Sequence, residues 1–264
     1  MSAHAIDLEA GPAGAEQQAG RDRRPGLARL TRVELRKMVD TRSGFWLQLA
    51  TLGLTVLAVL ISALAGHESD HTFRHILSNA LAPAGVLLPV VGILLVSSEW
   101  SQRTALISFA MVPQRSRLIA AKVLAGVLLA LVATAVAVVL AALGTALAGA
   151  DVPHVWTLPV GLLGQDVIYV VTAMVIGIGF GTALLSSAPA IVLYFALPVG
   201  LAAIGTIDAL HGAIQWIDTA ESLEPLTTTV MGGHDWAQAL VSLALWMVLP
   251  LGFGLWRITR RDIG

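Results

Sequence analysis

One short segment carries residue types that could perform metal chemistry. His67, Glu68 and His71 form a His-Glu-x-x-His pattern, and His75 continues the spacing of four residues. On a helix this spacing places the imidazoles on one face, where they could bind zinc while the glutamate acts as a general base. However, a charged Asp70 fills one of the x positions, and the sequence shows no downstream acidic ligand. We therefore expect a solvated polar loop and assign no catalytic or metal residue, with structural metal binding and a zinc-dependent membrane enzyme as alternatives.

A second candidate is Asp166, which falls within a long apolar stretch. An ionisable residue in a membrane segment is a functional candidate by default. Tyr169 and Thr172 follow it at helical spacing, so these three residues are our candidates for a translocation path. A proton-driven secondary transporter would use Asp166 as its relay. The alternative is that the carboxylate simply reaches the outer headgroups.

The residue types argue against ATP hydrolysis and against a nucleophilic enzyme. The chain has no cysteine, and its lysines are Lys37 and Lys122, neither of which follows a glycine. A Walker A phosphate-binding loop needs a Gly-Lys pair, so it is absent. No Gly-x-Ser-x-Gly sequence occurs either. We expect no cofactor in this chain.

The distribution of basic residues indicates the class of protein. Fifteen of the sixteen Lys and Arg residues fall into three clusters, at 21–42, 103–122 and 257–261, and Arg74 is the exception. Each cluster adjoins a long apolar run, and only 12% of the chain is charged, against roughly 25% in soluble domains. Runs of about 20 apolar residues can cross the bilayer as helices. The pattern predicts an all-α integral membrane protein, surrounded by lipid and without a nucleic-acid partner.

We predict six spans, and an interfacial amphipathic helix before them at 27–39. The spans are placed at 45–65, 76–98, 119–149, 160–186, 189–207 and 236–256, with the fourth and fifth divided by the helix-breaking Pro189. The positive-inside rule puts the three basic clusters and both termini in the cytoplasm. Residues 1–24 form the disordered cytoplasmic tail, and 25–264 form the membrane domain.

Three local features refine this layout. Glu34 falls on the apolar side of the amphipathic helix, which indicates an ion pair or a protein contact. Gly177 and Gly181 have the small-xxx-small spacing that permits close helix approach, here within the chain. The outer loop 208–235 mixes acids with apolar residues and should form short helices that dip into the outer leaflet.

The loop from Glu99 to Lys122 is the most distinctive segment. A mostly apolar run lies between charged ends, so its apolar side needs a partner that buries it. We expect a partner protein to dock there, with Leu106 and Phe109 buried and the arginines at the wetter rim.

At this point the residues resemble the membrane subunits of type 2 ATP-binding-cassette exporters. The likeness is carried by the residues from Glu34 to Trp46, by the loop residues Glu99, Thr104, Pro113, Arg117 and Lys122, and by the ending Arg260-Arg261-Asp262. The usual glycine before Thr104 is Arg103 here, a departure that affects the local loop geometry.

The resemblance implies a permease domain with defined partners in the plasma membrane. It implies a connector helix before the first span, a coupling helix around 101–113 and a re-entrant outer loop. Two permease subunits, identical or different, would join two separate ATPase subunits that hold ATP and Mg. The residues expected to couple to the ATPase are Glu99, Arg103, Thr104, Leu106, Phe109, Pro113, Arg115 and Arg117.

Overall fold

The computed structural model describes residues 26–65, 71–101, 115–148, 154–157 and 160–260, and all regular structure in these ranges is helical. Six helices there are long and apolar enough to span a bilayer. They are Arg42–Leu64, Phe73–Trp100, Ser116–Ala148, Val160–Leu184, Ser187–Gly205 and Gly233–Arg260. The prediction of an all-α membrane protein with six spans is confirmed, with ends within a few residues of those expected.

The helices are numbered in chain order. The first five are α1 (Leu27–Asp40), α2 (Arg42–Leu64), α3 (Phe73–Ser101), α4 (Arg115–Ala148) and α5 (Val160–Leu184). They are followed by α6 (Ser187–Gly205), α7 (Asp208–Ile217), α8 (Thr219–Thr228) and α9 (Gly233–Leu243). A π-helical turn, Ala244–Val248, joins α9 to α10 (Leu249–Arg260), so the last span is one rod with a local bulge.

Helix α5 is the centre of the bundle, and α3 is its closest neighbour. Of the 18 consecutive residues that form the most apolar part of α5, 67% are buried. A Cβ built on Gly177 would lie 2.3 Å from the Pro89 carbonyl oxygen, and one on Gly181 would lie 2.8 Å from that of Ile93. The backbones of α3 and α5 therefore meet directly, as the small-xxx-small spacing predicted.

The chain passes from α5 to α6 through a tight turn. Leu185 adopts a positive φ of 55°, and Ser186 is extended before α6 begins at Ser187. The predicted division of the two spans is confirmed, but the break lies at Leu185 and Ser186, just before Pro189. Pro189 lies in the first turn of α6, where the missing N–H has no intrahelical partner to lose.

The segment between α6 and α9 folds into the two short helices α7 and α8, as predicted. Helix α8 packs against α5, while α7 packs against α6 and α9. Leu223, Leu226, Met231 and Ala239 form a small apolar core between α8 and α9. This core fixes the hairpin of α7 and α8 to the bundle.

Helix α1 has the predicted position and length, and one side of it packs against the rest of the protein. Thr31, Glu34 and Met38 are buried, and the helix packs mainly against α4 and α2. The Thr41 hydroxyl accepts a hydrogen bond from the Gly44 amide, which caps α2 just after α1 ends. The helix is therefore held at the end of the bundle where Trp100 and Arg257 also lie, called here the basic end.

Candidate functional site

Two lysines and two glutamates form a buried charge cluster at the basic end. The Lys122 ammonium nitrogen lies 2.7 Å from Glu34 Oε2, 2.9 Å from Glu99 Oε1 and 3.1 Å from the Leu95 carbonyl oxygen. Lys37 Nζ lies 2.8 Å from Glu34 Oε1 and 2.7 Å from Glu99 Oε1. These four described side chains carry two charges of each sign. The ion-pair contact expected for Glu34 is confirmed.

The cluster is buried unevenly. The exposed fraction is 1% for the Lys122 side chain and 2% for Glu34, but 38% for Lys37. Burial alone would lower the pKa of Lys37, but hydrogen bonds and charge from Glu34 and Glu99 outweigh it, so its pKa lies above the usual value. Burying a charge costs several kcal/mol unless it is paired. The stability of the buried Lys122 and Glu34 side chains therefore requires that their ion-pair partners stay in place.

Three helices contribute to the charge cluster. Glu34 and Lys37 belong to α1, Glu99 lies in the last turn of α3, and Lys122 lies in the second turn of α4. Residues 102–114, which lie outside the described ranges, stand between α3 and α4 in the chain. The charge cluster therefore ties α1 to both helices that flank this connection.

The predicted coupling residues are only partly within the described ranges. Arg103, Thr104, Leu106, Phe109 and Pro113 lie outside them. Arg115 begins α4, and Arg117, which is half-buried, makes no ion pair with any described residue. Glu99 is part of the charge cluster. Lys122, which the sequence analysis did not pair with Glu34, is the cluster's most buried member.

A second buried ion pair lies at the opposite end of the bundle. Arg74 Nη1, near the start of α3, is 2.6 Å from Asp166 Oδ2 in α5. The Arg74 Nη2 group also donates a hydrogen bond to the Thr227 carbonyl at the end of α8. Asp166 is fully buried, so its carboxylate does not reach the surface, and its Oδ1 has no described hydrogen-bond partner.

Gln165, which the sequence analysis missed, fixes the same region. Its Nε2 donates to the carbonyl oxygens of Thr229 at 2.7 Å and Pro225 at 3.2 Å, and its Oε1 accepts from the Met231 amide at 3.1 Å. These contacts tie the C-terminus of α8 and the residues that follow it to α5. A polar residue directly before Asp166 in an apolar span was the available signal.

A cavity of about 480 Å³ lies between α5, α6, α8 and the π-helical turn. Its aromatic lining comprises Tyr169, Phe180, Tyr194, Phe195 and Trp246. The Trp246 indole Nε1 donates to the Ile217 carbonyl oxygen at 2.5 Å, which joins the last span to the hairpin of α7 and α8. Of the three translocation candidates, Tyr169 lines this cavity, whereas Asp166 and Thr172 are buried elsewhere in α5.

The histidine segment is described only in part. His67 and Glu68 lie outside the described ranges. His71 precedes α3, which begins at Phe73, and His75 is exposed in its first turn, so these two histidines do not share a helix. Among the described residues, no group of three or more histidine, aspartate or glutamate side chains could hold a metal ion.

These features define an all-α, multi-pass membrane protein. In comparisons with known proteins, no family model matches the chain, and no curated sequence does. The resemblance to type 2 exporters therefore stays a prediction from the residues.

Proposed function

We propose that this chain is the membrane-spanning permease subunit of an ATP-binding-cassette exporter, which forms the substrate path and couples to a separate ATPase subunit. The observation that carries the proposal is the buried charge cluster. It joins α1, the end of α3 and the start of α4, and the last two helices flank residues 102–114. A partner that pushes on this connection would move three helices together.

The charge cluster suits such transmission because its members cannot separate cheaply. Pulling Lys122 away from Glu34 and Glu99 would leave buried charges without partners, which costs about 3–5 kcal/mol. Displacement of the loop is therefore passed to the helices instead of being absorbed by local unfolding. ATP and Mg belong to the partner, and this chain supplies no catalytic residue for hydrolysis.

A second permease subunit has a suitable surface on α6. Of the 18 consecutive residues that form the most apolar part of α6, only 11% are buried. This is the smallest buried share among the six described spans. The exposed residues Ala196, Gly200 and Ala203 form a stripe of small side chains, and nothing lies within 4 Å of a Cβ built on Gly200. Small residues permit close helix approach in membranes. We place the partner permease, identical or different, on this face.

The proposed orientation follows the positive-inside rule. The basic end, with the charge cluster and Arg257, would face the cytoplasm, and both termini would lie there in the plasma membrane. The chain has no native cysteine, so single cysteines report on sidedness. A cysteine at Thr228 should react with a membrane-impermeant thiol reagent in intact cells, whereas one at Gln114 should not. The reverse pattern would contradict the orientation.

The coupling is tested by substitution within the loop. Phe109→Asp should still insert in the membrane but lose the ATPase subunit that copurifies with the wild-type chain, because a charge would replace the apolar side chain that we propose the partner buries. Phe109→Leu is the control, since it keeps an apolar side chain. Full ATPase retention and normal stimulated hydrolysis in Phe109→Asp would refute this assignment.

A proton-driven transporter is the second candidate, because Asp166 is buried and keeps one oxygen without a described partner. Its ion pair with Arg74 favours a structural role instead. Transport by proteoliposomes separates the two functions: an exporter of the proposed type needs ATP and the ATPase subunit, whereas the alternative runs on a proton gradient alone.

A further inference from the structure

The cavity beside α8 has a continuous aromatic wall. The rings of Phe180 and Trp246 are stacked, with centroids 6.0 Å apart and an interplanar angle of 9°. Tyr194 meets Phe180 edge to face at 5.9 Å and Phe195 at 5.0 Å. Three separate spans thus supply one connected set of rings.

The fifth aromatic ring of the cavity, that of Tyr169, fits against a glycine of α3. A Cβ on Gly85 of α3 would lie 2.7 Å from the Tyr169 hydroxyl and 3.0 Å from its ring carbon Cε1. Neither the Tyr169 nor the Tyr194 hydroxyl has a hydrogen-bond partner in the described part of the chain. Both hydroxyls are therefore available to a bound molecule.

The charge of the cavity lining has one sign. Glu224 of α8 is the single charged residue among the side chains that line it, and it forms no ion pair within the described ranges. Aromatic ring faces carry negative potential and attract cations, most strongly where water is excluded. A carboxylate beside a set of ring faces favours a positively charged ligand and disfavours an anionic lipid.

We propose that this cavity binds an amphipathic organic cation whose aromatic or bulky apolar part lies among the rings while its positive charge lies near Glu224. The volume of about 480 Å³ is within the roughly 300–1,000 Å³ typical of small-molecule sites. Binding to this site does not depend on ATP or on a second subunit. It is therefore tested independently of the proposed function, for which it would define the cargo class.

Two ions of the same shape and opposite charge test the proposal. The full chain in lipid nanodiscs is dialysed against tetraphenylphosphonium or tetraphenylborate, and binding to protein-free nanodiscs is subtracted. We expect saturable binding of one tetraphenylphosphonium per chain. Tetraphenylborate should show no saturable binding, because its charge is repelled by Glu224 and by the ring faces.

Variants assign the binding to this cavity. Glu224→Gln should weaken tetraphenylphosphonium binding about two- to fivefold, as expected for loss of an ion pair with an exposed carboxylate. Glu221→Gln, on the same helix but outside the cavity lining, is the matched control and should bind like the wild type. Tyr194→Leu should weaken binding by about fivefold through loss of a ring face, and Tyr194→Phe should preserve it.

The outcomes separate a cation site from lipid partition. Unchanged melting temperatures establish that the variants are folded. Tetraphenylphosphonium binding that does not saturate, or that does not exceed its binding to protein-free nanodiscs, would overturn the proposal, because partition into lipid alone gives that result. Saturable binding unaffected by both Glu224→Gln and Tyr194→Leu would also overturn it.

Discussion

The Lys122 ammonium nitrogen lies 2.7 Å from Glu34 Oε2, although 88 residues separate the two in the chain. This contact crosses from the start of α4 to α1, which lies outside the six described spans. Glu99 shares both lysines with Glu34, so the contact is part of one connected set of ion pairs. The position of α1 against the bundle is therefore fixed by charge as well as by apolar packing.

The two lysines of the charge cluster provide a matched comparison of burial. Lys122→Met should lower the free energy of unfolding by about 3–5 kcal/mol, because it leaves buried glutamates with too little positive charge. Lys37→Met should cost about 1 kcal/mol or less, as for a pair screened by solvent. Denaturant unfolding in detergent measures both. Equal losses of unfolding free energy in the two variants would contradict this prediction.

The raised pKa of Lys37 predicts an alkaline limit to its contribution. Because the folded-state pKa lies above the usual 10.5, the stabilisation is fully present below about pH 10 and is lost as the pH rises through the folded-state value. The melting-temperature difference between the wild type and Lys37→Met should therefore stay constant from pH 7 to about pH 10 and shrink above that. A difference that already falls near neutral pH would be inconsistent with this sign.

The Arg74 and Asp166 pair should behave as one unit. Arg74→Met leaves a buried carboxylate without its partner and should cost about 3–5 kcal/mol, whereas adding Asp166→Leu should restore much of the loss. Labelling of a cysteine at the fully buried Leu226 should accelerate in Arg74→Met, since α8 loses its hydrogen bond at Thr227. If the double variant is no more stable than Arg74→Met, the pair is not coupled.

Alanine substitutions at two glycines of α5 distinguish the effect of close helix packing from the effect of helix propensity. Gly177→Ala should destabilise the protein by about 1–3 kcal/mol, because the new methyl group meets the Pro89 backbone, which cannot yield locally. Gly164→Ala is the control: nothing lies within 4 Å of its added Cβ, so helix propensity should make it neutral or stabilising. Thermal melting of both variants checks the prediction. Similar melting temperatures would show that α3 and α5 can move apart.

The span positions were predictable because hydrophobicity and charge placement are local properties of the sequence. A helix that crosses the bilayer must satisfy its own backbone hydrogen bonds and needs about 20 apolar residues, so each span is recognisable without knowledge of its neighbours. The prediction for Glu34 also succeeded for a local reason, since its place on the apolar side of α1 required a partner. The break between the fourth and fifth spans lies just before Pro189 and not at it, because a proline is compatible with either a helix end or a first turn.

The contacts between residues on different helices could not be predicted from local sequence properties. The sequence marked Arg74 as the outlying basic residue and Asp166 as an intramembrane acid, but nothing in their order joined them. Trp246 lies in the middle of the last predicted span, and the sequence gives no indication of its contacts. Its hydrogen bond to Ile217 and its stacking on Phe180 depend on how the last span is rotated and on how deeply the hairpin of α7 and α8 enters the bundle.

The sequence by itself determined the number and approximate limits of the spans, the amphipathic character of α1 and the close approach allowed by Gly177. Only the tertiary structure decided that Glu34, Lys37, Glu99 and Lys122 form one cluster, and that rings from α5, α6 and the last span enclose a cavity. The physical reason is that a bilayer selects helices by their own length and polarity. Contacts between helices depend instead on rotation and depth, which are set jointly by all the neighbouring side chains.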